Sequence, residues 1–289
     1  MKNIDFLKHR YLMLAISFLI IVGGITYGIL TGYKFDIDFK GGVTIQAELN
    51  EEYNNTDIEK MVSNVTGTSP LVQKVTGGNN SVSISIEPIS TEVLDEVVNT
   101  LKEKYPNMSE PSTRNIQPSY GKELLDSAIL AVFVAVIVIL LYIAIRFKTL
   151  GVIPAVTAII ALLHDALFII AIYGIFKLPI NSTFVAVILT IVGYSINDTI
   201  IIYDRIRENR KKVTKSKDLK DTINLSISQT MKRSIMTSLT TIVTVVIVLI
   251  FAIIYNQQVL KEFSLPLILG VAIGTYSSIF IATTLWYIL

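Results

Sequence analysis

Residues 193–209 read GYSINDTIIIYDRIREN. They close an apolar run that begins near Thr183, and they set Asn197, Asp198 and Thr199 inside it. A block of charge follows, starting at Asp204. A charge at the centre of a bilayer costs about 2.5–3.5 kcal/mol on insertion scales, so an acid kept at such a depth usually has a partner and a task. The fold class turns on whether the run around Asp198 spans a membrane.

Composition answers that it does. Of 289 residues, 52% are hydrophobic and only 17% charged, against about 25% charged in ordinary soluble domains. Mean hydropathy is +0.59. A hydrocarbon core of about 30 Å needs roughly 20 apolar residues as helix. Six runs meet that length: Tyr11 to Leu30, Leu124 to Ile145, Val152 to Tyr173, Thr183 to Tyr203, Ile235 to Tyr255 and Pro266 to Ile288. The first is too long for a signal peptide's apolar region and no A-x-A-like site follows it, so it is read as a retained span. With no cysteine, the chain has no disulfide, thiolate metal site or cysteine nucleophile.

The placement of Lys and Arg predicts orientation. Lys2, Lys8 and Arg10 precede the first run, and Arg146 and Lys148 follow the second. The segment 204–233 holds ten basic and four acidic residues, a net +6. Residues 31–122 hold eight basic and thirteen acidic residues, a net −5. The basic segments are expected in the cytoplasm with both termini, and the large acidic segment outside. Attraction to anionic membrane lipid accounts for the cytoplasmic charge, and no nucleic acid is implied.

Between the first two runs the pattern alternates strand and helix. GGVTIQAEL (Gly41 to Leu49) reads as a strand, and TDIEKMVSNV (Thr56 to Val65) as a helix with Thr56 as N-cap and Glu59 closing a capping box. SPLVQKVT (Ser69 to Thr76) and SVSISIEP (Ser81 to Pro88) read as a hairpin turned by Gly77 to Asn80. Ser90 to Tyr105 is an amphipathic helix with Val93, Val97 and Leu101 on its apolar face, and Pro111 to Gln117 is extended. The order βαββαβ is that of a ferredoxin-like domain. It carries no histidine and no catalytic constellation, and it reads as a docking or substrate-handling module. The predicted divisions are 1–34 (N-terminus and first span), 35–120 (external domain) and 121–289 (five further spans with the basic loop 204–233).

FDIDFKGG (Phe35 to Gly42) joins the first span to that domain. Acids alternate with Phe35, Ile37 and Phe39 before two glycines, a pattern read as a strand ending in a close backbone approach. Two functions fit: a rigid elbow built on Asp38, Gly41 and Gly42, or a ligand or ion site on Asp36 and Asp38.

Helical spacing sorts the polar residues within the spans. Thr190, Tyr194, Asn197 and Asp198 are expected on one side of the fourth span; Arg233, Thr237, Thr240 or Thr241, and Thr244 form a stripe on the fifth. In antiparallel neighbours Asp198 and Arg233 fall at similar depth, and a pairing is predicted, direct or through water. An acid whose cation can approach and withdraw suits proton loading and release. A static structural pair, or an acid solvated from the cytoplasm, also fits these residues. In the third span His164 and Asp165 either make packing hydrogen bonds or take part in proton access. A metal site is not expected, since the only other histidine is His9. Gly24, Gly28 and Gly32, and Gly270, Gly274 and Ser278, follow the small-xxx-small spacing of close helix contacts.

At GYSINDTIIIYDRIREN the resemblance becomes specific. It is similar to the fourth transmembrane segment of SecF-type members of the SecD/SecF family, accessory subunits of the Sec translocon. FDIDFKGG, LLHDALF (Leu162 to Phe168) and SQTMKRSIMTSLTT (Ser228 to Thr241) agree in the same order. The resemblance implies six spans arranged like half of an RND transporter, a partner SecD, association with SecYEG, and use of the proton gradient to help export a translocating preprotein. It assigns Asp198 and Arg233 to the proton path, with an acid from SecD completing the site, and it implies no cofactor and no enzymatic activity. Met1 with its own basic N-terminus predicts a chain separate from SecD. Sodium in place of the proton stays open. An RND-type small-molecule exporter predicts a second large loop; a passive scaffold for SecD predicts no ion flux. An intramembrane protease predicts G-x-G-D, H-E-x-x-H or a Ser–His dyad, and Ser195 has no embedded histidine at a suitable spacing.

Overall fold

A computed structural model describes residues 5–75, 80–147, 151–212, 219–255 and 257–289. Six of its helical segments are long and apolar enough to cross a membrane. Helices satisfy every backbone N–H and C=O within the segment, which hydrocarbon demands. The first is α1 (Arg10–Thr31). After the intervening domain come α5 (Pro118–Arg146), α6 (Val152–Phe176), α7 (Ser182–Lys212) and α8 (Leu219–Ile254). The sixth is composite: α9 (Gln258–Tyr276), a π-helical turn (Ser277–Ala282) and α10 (Thr283–Ile288).

Two boundaries differ from the sequence reading. The basic segment 204–233 is mostly helix, because α7 runs on to Lys212 and α8 already starts at Leu219. Pairs three residues apart support that extension: Arg207 lies 3.0 Å from Asp204, and Arg205 bonds Glu208. Arg146, at the end of α5, also pairs with Asp204. The sixth span starts before Pro266, which lies inside α9 rather than at its head. Lys2, Lys148, Lys215, Lys217 and the predicted turn at Gly77 to Asn79 lie outside the described residues.

Between α1 and α5 come a short helix α2 (Ile37–Lys40), β1 (Gly42–Glu48), α3 (Asn55–Thr66), β2 (Leu71–Val75), β3 (Ser81–Ile86), α4 (Thr91–Lys104) and β4 (Ser112–Ile116). The strands form one antiparallel sheet in the order β2-β3-β1-β4, with Ile45 opposite Ile84 and Val43 opposite Ile86. Alternate residues of β1 and β3 face α3 and α4, burying Val43, Ile45, Ile84, Ile58, Val62, Val97 and Leu101 in a core separate from the helical bundle. Each such side chain stabilises the fold by about 1.5–3 kcal/mol. The cap of α3 is Asn54, not Thr56: its side chain accepts from the Thr56 N–H at 3.1 Å and the Thr56 hydroxyl at 2.7 Å. Val93 stays outside that core, while Leu94 and Val98 pack against it.

FDIDFKGG is not a strand. Asp36 caps α2, accepting from the Ile37 N–H at 2.7 Å. The alternation of acid and apolar residues arises because one helical turn buries Ile37, Asp38 and Phe39 together. Gly41 (φ 74°) and Gly42 (φ 140°) take backbone conformations that only glycine adopts without strain. A Cβ on Gly41 would stand 2.6 Å from Pro118 Cα, and one on Gly42 would stand 2.3 Å from the Ile86 carbonyl.

The glycine stripes sit at helix contacts. Gly24 faces Ala171 and Gly28 faces the Tyr33 ring where α1 crosses α6. Gly270 and Gly274 face Ile191 and Ser195, so α9 lies close against α7. Gly32 lies outside this packing: a Cβ there would meet nothing within 4 Å, and it ends α1 with φ 76°.

Candidate functional site

The close approach of α9 to α7 brings two buried carboxylates into one polar layer. Asp198 on α7 and Asp165 on α6 are both fully buried. In an apolar bundle each requires hydrogen-bond donors.

Asp165 has a full set. Its Oδ2 accepts from the Ser195 hydroxyl at 2.5 Å and the Ser277 hydroxyl at 2.7 Å; its Oδ1 lies 2.9 Å from His164 Nδ1. Three helical segments thus meet on one acid. The π-helical turn widens the sixth span at Ser277 and Ser278, and such turns concentrate at functional sites. Ser278 there contacts Thr199 at 2.8 Å, and Tyr203 donates to the Ala282 carbonyl at 3.1 Å. The fold links Ser195 to His164 only through Asp165. The acid stands between the two, and a nucleophilic serine would need the histidine there instead. The His164 ring packs by Phe168 and Tyr276, and its buried Nε2 has no hydrogen-bond partner among the described residues.

Asp198 is less completely held. Its Oδ2 accepts from Thr275 Oγ1 at 3.2 Å. Thr275 Oγ1 lies 2.5 Å from Ser238 Oγ, which Tyr194 OH approaches at 3.0 Å. Among the described residues, Oδ1 of Asp198 and Oγ of Ser234, which faces it, are buried and make no well-formed hydrogen bond.

The predicted stripe on α7 splits here. Successive residues stand about 100° apart on a helix, so Asn197 and Thr190 are exposed while Asp198 turns inward with Ser195 and Thr199. On α8, the threonines bond back to their own helix, as Thr237 does to the Arg233 carbonyl at 2.8 Å. It is Ser234 and Ser238 that face the acid. Arg233 is exposed but within electrostatic reach of Asp198. Among the described residues no ion pair joins them, so the direct form of the predicted pairing is absent. A crevice of about 690 Å³ opens beside them; Asn197, Thr230 and Arg233 line it, and it stops short of Asp198. No cluster of metal-ligating residues occurs among the described residues.

At the other end of α7, Asp38 is buried and accepts from the Ser182 N–H at 3.1 Å and the Ser182 hydroxyl at 2.6 Å. Its second oxygen lies 3.2 Å from Arg114. Beside it, burial pushes the carboxyl of Asp36 above the usual carboxylate range.

Residues 96–289 match the family model described as protein export membrane protein SecD/SecF, C-terminal. The protein translocase subunit SecF of Rhodothermus marinus is 35% identical over 293 residues, covering 97% of this chain and 91% of that one. The chain belongs to the SecD/SecF family. SecDF of Bacillus subtilis, also 35% identical, is covered over 37% of its length. The crystal structure of SecDF from Thermus thermophilus superposes with a TM-score of 0.86 at 29% identity, covering 98% of this chain and 38% of that one. The chain therefore spans little more than a third of these SecDF relatives. Membership of the SecD/SecF family makes this a membrane protein with a role in protein export.

Proposed function

We propose that the chain acts as the SecF-like half of a SecD–SecF pair, drawing on the proton motive force to assist export of preproteins through SecYEG. It makes and breaks no covalent bond. The four-stranded domain, whose strand order is that of a ferredoxin-like fold, lies outside the cytoplasmic membrane and handles the emerging polypeptide. Both termini lie in the cytoplasm. The charge asymmetry of the sequence supports that topology, and the relatives named SecDF support the pairing with SecD.

One observation carries the reading. Asp198 is fully buried, has one carboxylate oxygen that makes no well-formed hydrogen bond among the described residues, and sits beside a crevice lined by Asn197 and Arg233. A group so placed can bind and release a proton as its hydration and its distance from a cation change. Protonation weakens the pull between Asp198 and Arg233 and lets α7 and α8 shift. His164 and Asp165 hold the neighbouring helices and take part in proton access.

The test is export into vesicles holding SecYEG, SecD and this chain, driven by an imposed pH or Na⁺ gradient. Asp198→Asn is expected to abolish gradient-stimulated export and to leave assembly with SecD intact. Normal export in that variant overturns the reading.

A further inference from the structure

The elbow has a feature that a simple hinge does not need. A hinge requires only a chain crossing and a flexible residue or two. Here α2 is fixed to the bundle from three directions. The Asp36 N–H donates to the Ile180 carbonyl at 3.1 Å, and the Ile180 N–H donates to the Lys34 carbonyl at 2.8 Å, a backbone bridge to the segment just before α7. On a second side Gly121 of α5 lies so close to Phe39 and Gly41 that a Cβ would stand 2.9 Å from the Gly41 nitrogen. On the third, Asp38 takes both the backbone and the hydroxyl of Ser182, the first residue of α7. A carboxylate here also complements the positive end of the α7 dipole.

The other oxygen of Asp38 contacts Arg114, on the strand that closes the four-stranded domain. Asp38 is 8% exposed at its side chain and Arg114 is 67% exposed, so the bundle side of the contact is buried and the domain side is open. One carboxylate thus spans the boundary between a helix and a sheet. The helix is the one bearing Asp198, sixteen residues on, about 24 Å along a helix rising 1.5 Å per residue.

We propose that Asp38 is a coupling residue: it ties the first residue of α7 to Arg114, so that movement of α7 at Asp198 is passed to the four-stranded domain. The inference rests on the ion-path reading above and adds the route by which it does work. α2 and the start of α7 move as one body. Arg114 is the connection through which that body steers the sheet, while Gly41 and Gly42 give the backbone between them its turn.

Two variants separate this from a structural prop. Asp38→Asn keeps an acceptor for Ser182 and loses the charge that holds Arg114. Arg114→Ala removes the other partner at an exposed site where folding is little affected. Both are measured with SecD and SecYEG in vesicles, by two readouts: gradient-stimulated export, and gradient-driven proton uptake. Export is expected to fall about fivefold or more, the lower end of coupling between sites, with proton uptake unchanged, and Arg114→Lys is expected to restore export. Unchanged export in both variants overturns the linkage, as does a parallel loss of export and uptake. Asp198→Asn in the same vesicles reports on the ion path. If it keeps export, that reading falls and the linkage falls with it; if it loses both readouts while Asp38→Asn keeps both, only the linkage falls.

Discussion

The Ser195 hydroxyl donates to Asp165 Oδ2 at 2.5 Å, tying α7 to α6 near the middle of α6. Ser277 donates to the same oxygen from the π-helical turn, and His164 occupies the other oxygen. Helix association in lipid lacks the hydrophobic drive available in water, so such contacts and close packing decide how the helices sit.

Asp165→Ala should therefore leave the Ser195 hydroxyl and a histidine nitrogen without their acceptor in a buried layer, while Ser277 keeps the Gly274 carbonyl at 3.1 Å. Each uncompensated group costs about 1–3 kcal/mol. The purified chain should unfold at a distinctly lower temperature in detergent. Asp165→Asn, which keeps one acceptor oxygen, should fall between Ala and the parent. An Ala variant as stable as the parent would remove the three-helix junction from the account.

Adjacent glycines on α1 give a sharper packing test. A Cβ on Gly24 would stand 2.7 Å from Ala171 Cβ and 3.0 Å from the Ala171 carbonyl, atoms that cannot swing aside. A Cβ on Gly23 would meet nothing within 4 Å. Gly24→Ala should destabilise by about 1–3 kcal/mol, as overpacking does, and Gly23→Ala should be neutral. Thermal melts of the two variants side by side check the contrast.

The sequence carried the spans because a bilayer imposes a length that composition alone reveals. It carried the two acids because a carboxylate is conspicuous among isoleucines. Their partners were not legible. Ser234, Ser238, Ser277 and Thr275 are small polar residues of a kind that commonly bond their own helix, as Thr241 does to the Thr237 carbonyl. Ser238, Thr275 and Ser277 do so too, and nothing in the sequence says which ones also reach across. The Gly270–Gly274–Ser278 spacing was the available signal, since it marks the face that approaches α7, but it does not give the partner. FDIDFK misled because a two-residue alternation also arises from a short turn capped by Asp36. The helix ends were misplaced because charge reads as loop, whereas Asp204, Arg205, Arg207 and Glu208 support a helix by pairing along it.

Tyr53 offers a pH test outside the spans. Its hydroxyl donates to the Ser81 carbonyl at 2.6 Å, and burial pushes the phenol up to about 12 from an ordinary 10. The folded domain favours the neutral phenol, so this stabilisation is complete below pH 10 and is lost as pH rises from 10 to 12. Amide exchange in β3 of the full chain should accelerate over that window. Tyr53→Phe should weaken protection at pH 8 by about 1 kcal/mol, one hydrogen bond, and should flatten the alkaline limb. An alkaline limb unchanged in Tyr53→Phe would assign it to another group.

Asp198 and Arg233 pose the last question, because they are close enough to interact and yet form no ion pair among the described contacts. If the two groups act as one unit, removing either should cost about as much as removing both, since members of a cooperative site are strongly non-additive. Asp198→Asn, Arg233→Gln and the double variant should then show the same residual gradient-stimulated export. Arg233→Lys should retain part of it, because an ammonium keeps the charge without the planar fork of a guanidinium. Thr275→Val should lower export less than Asp198→Asn does, because Thr275 supplies the hydrogen bond from α9 to Asp198 but no charge. Additive losses in the double variant would mean that Arg233 serves another purpose, with the crevice beside Asn197 the place to look for it.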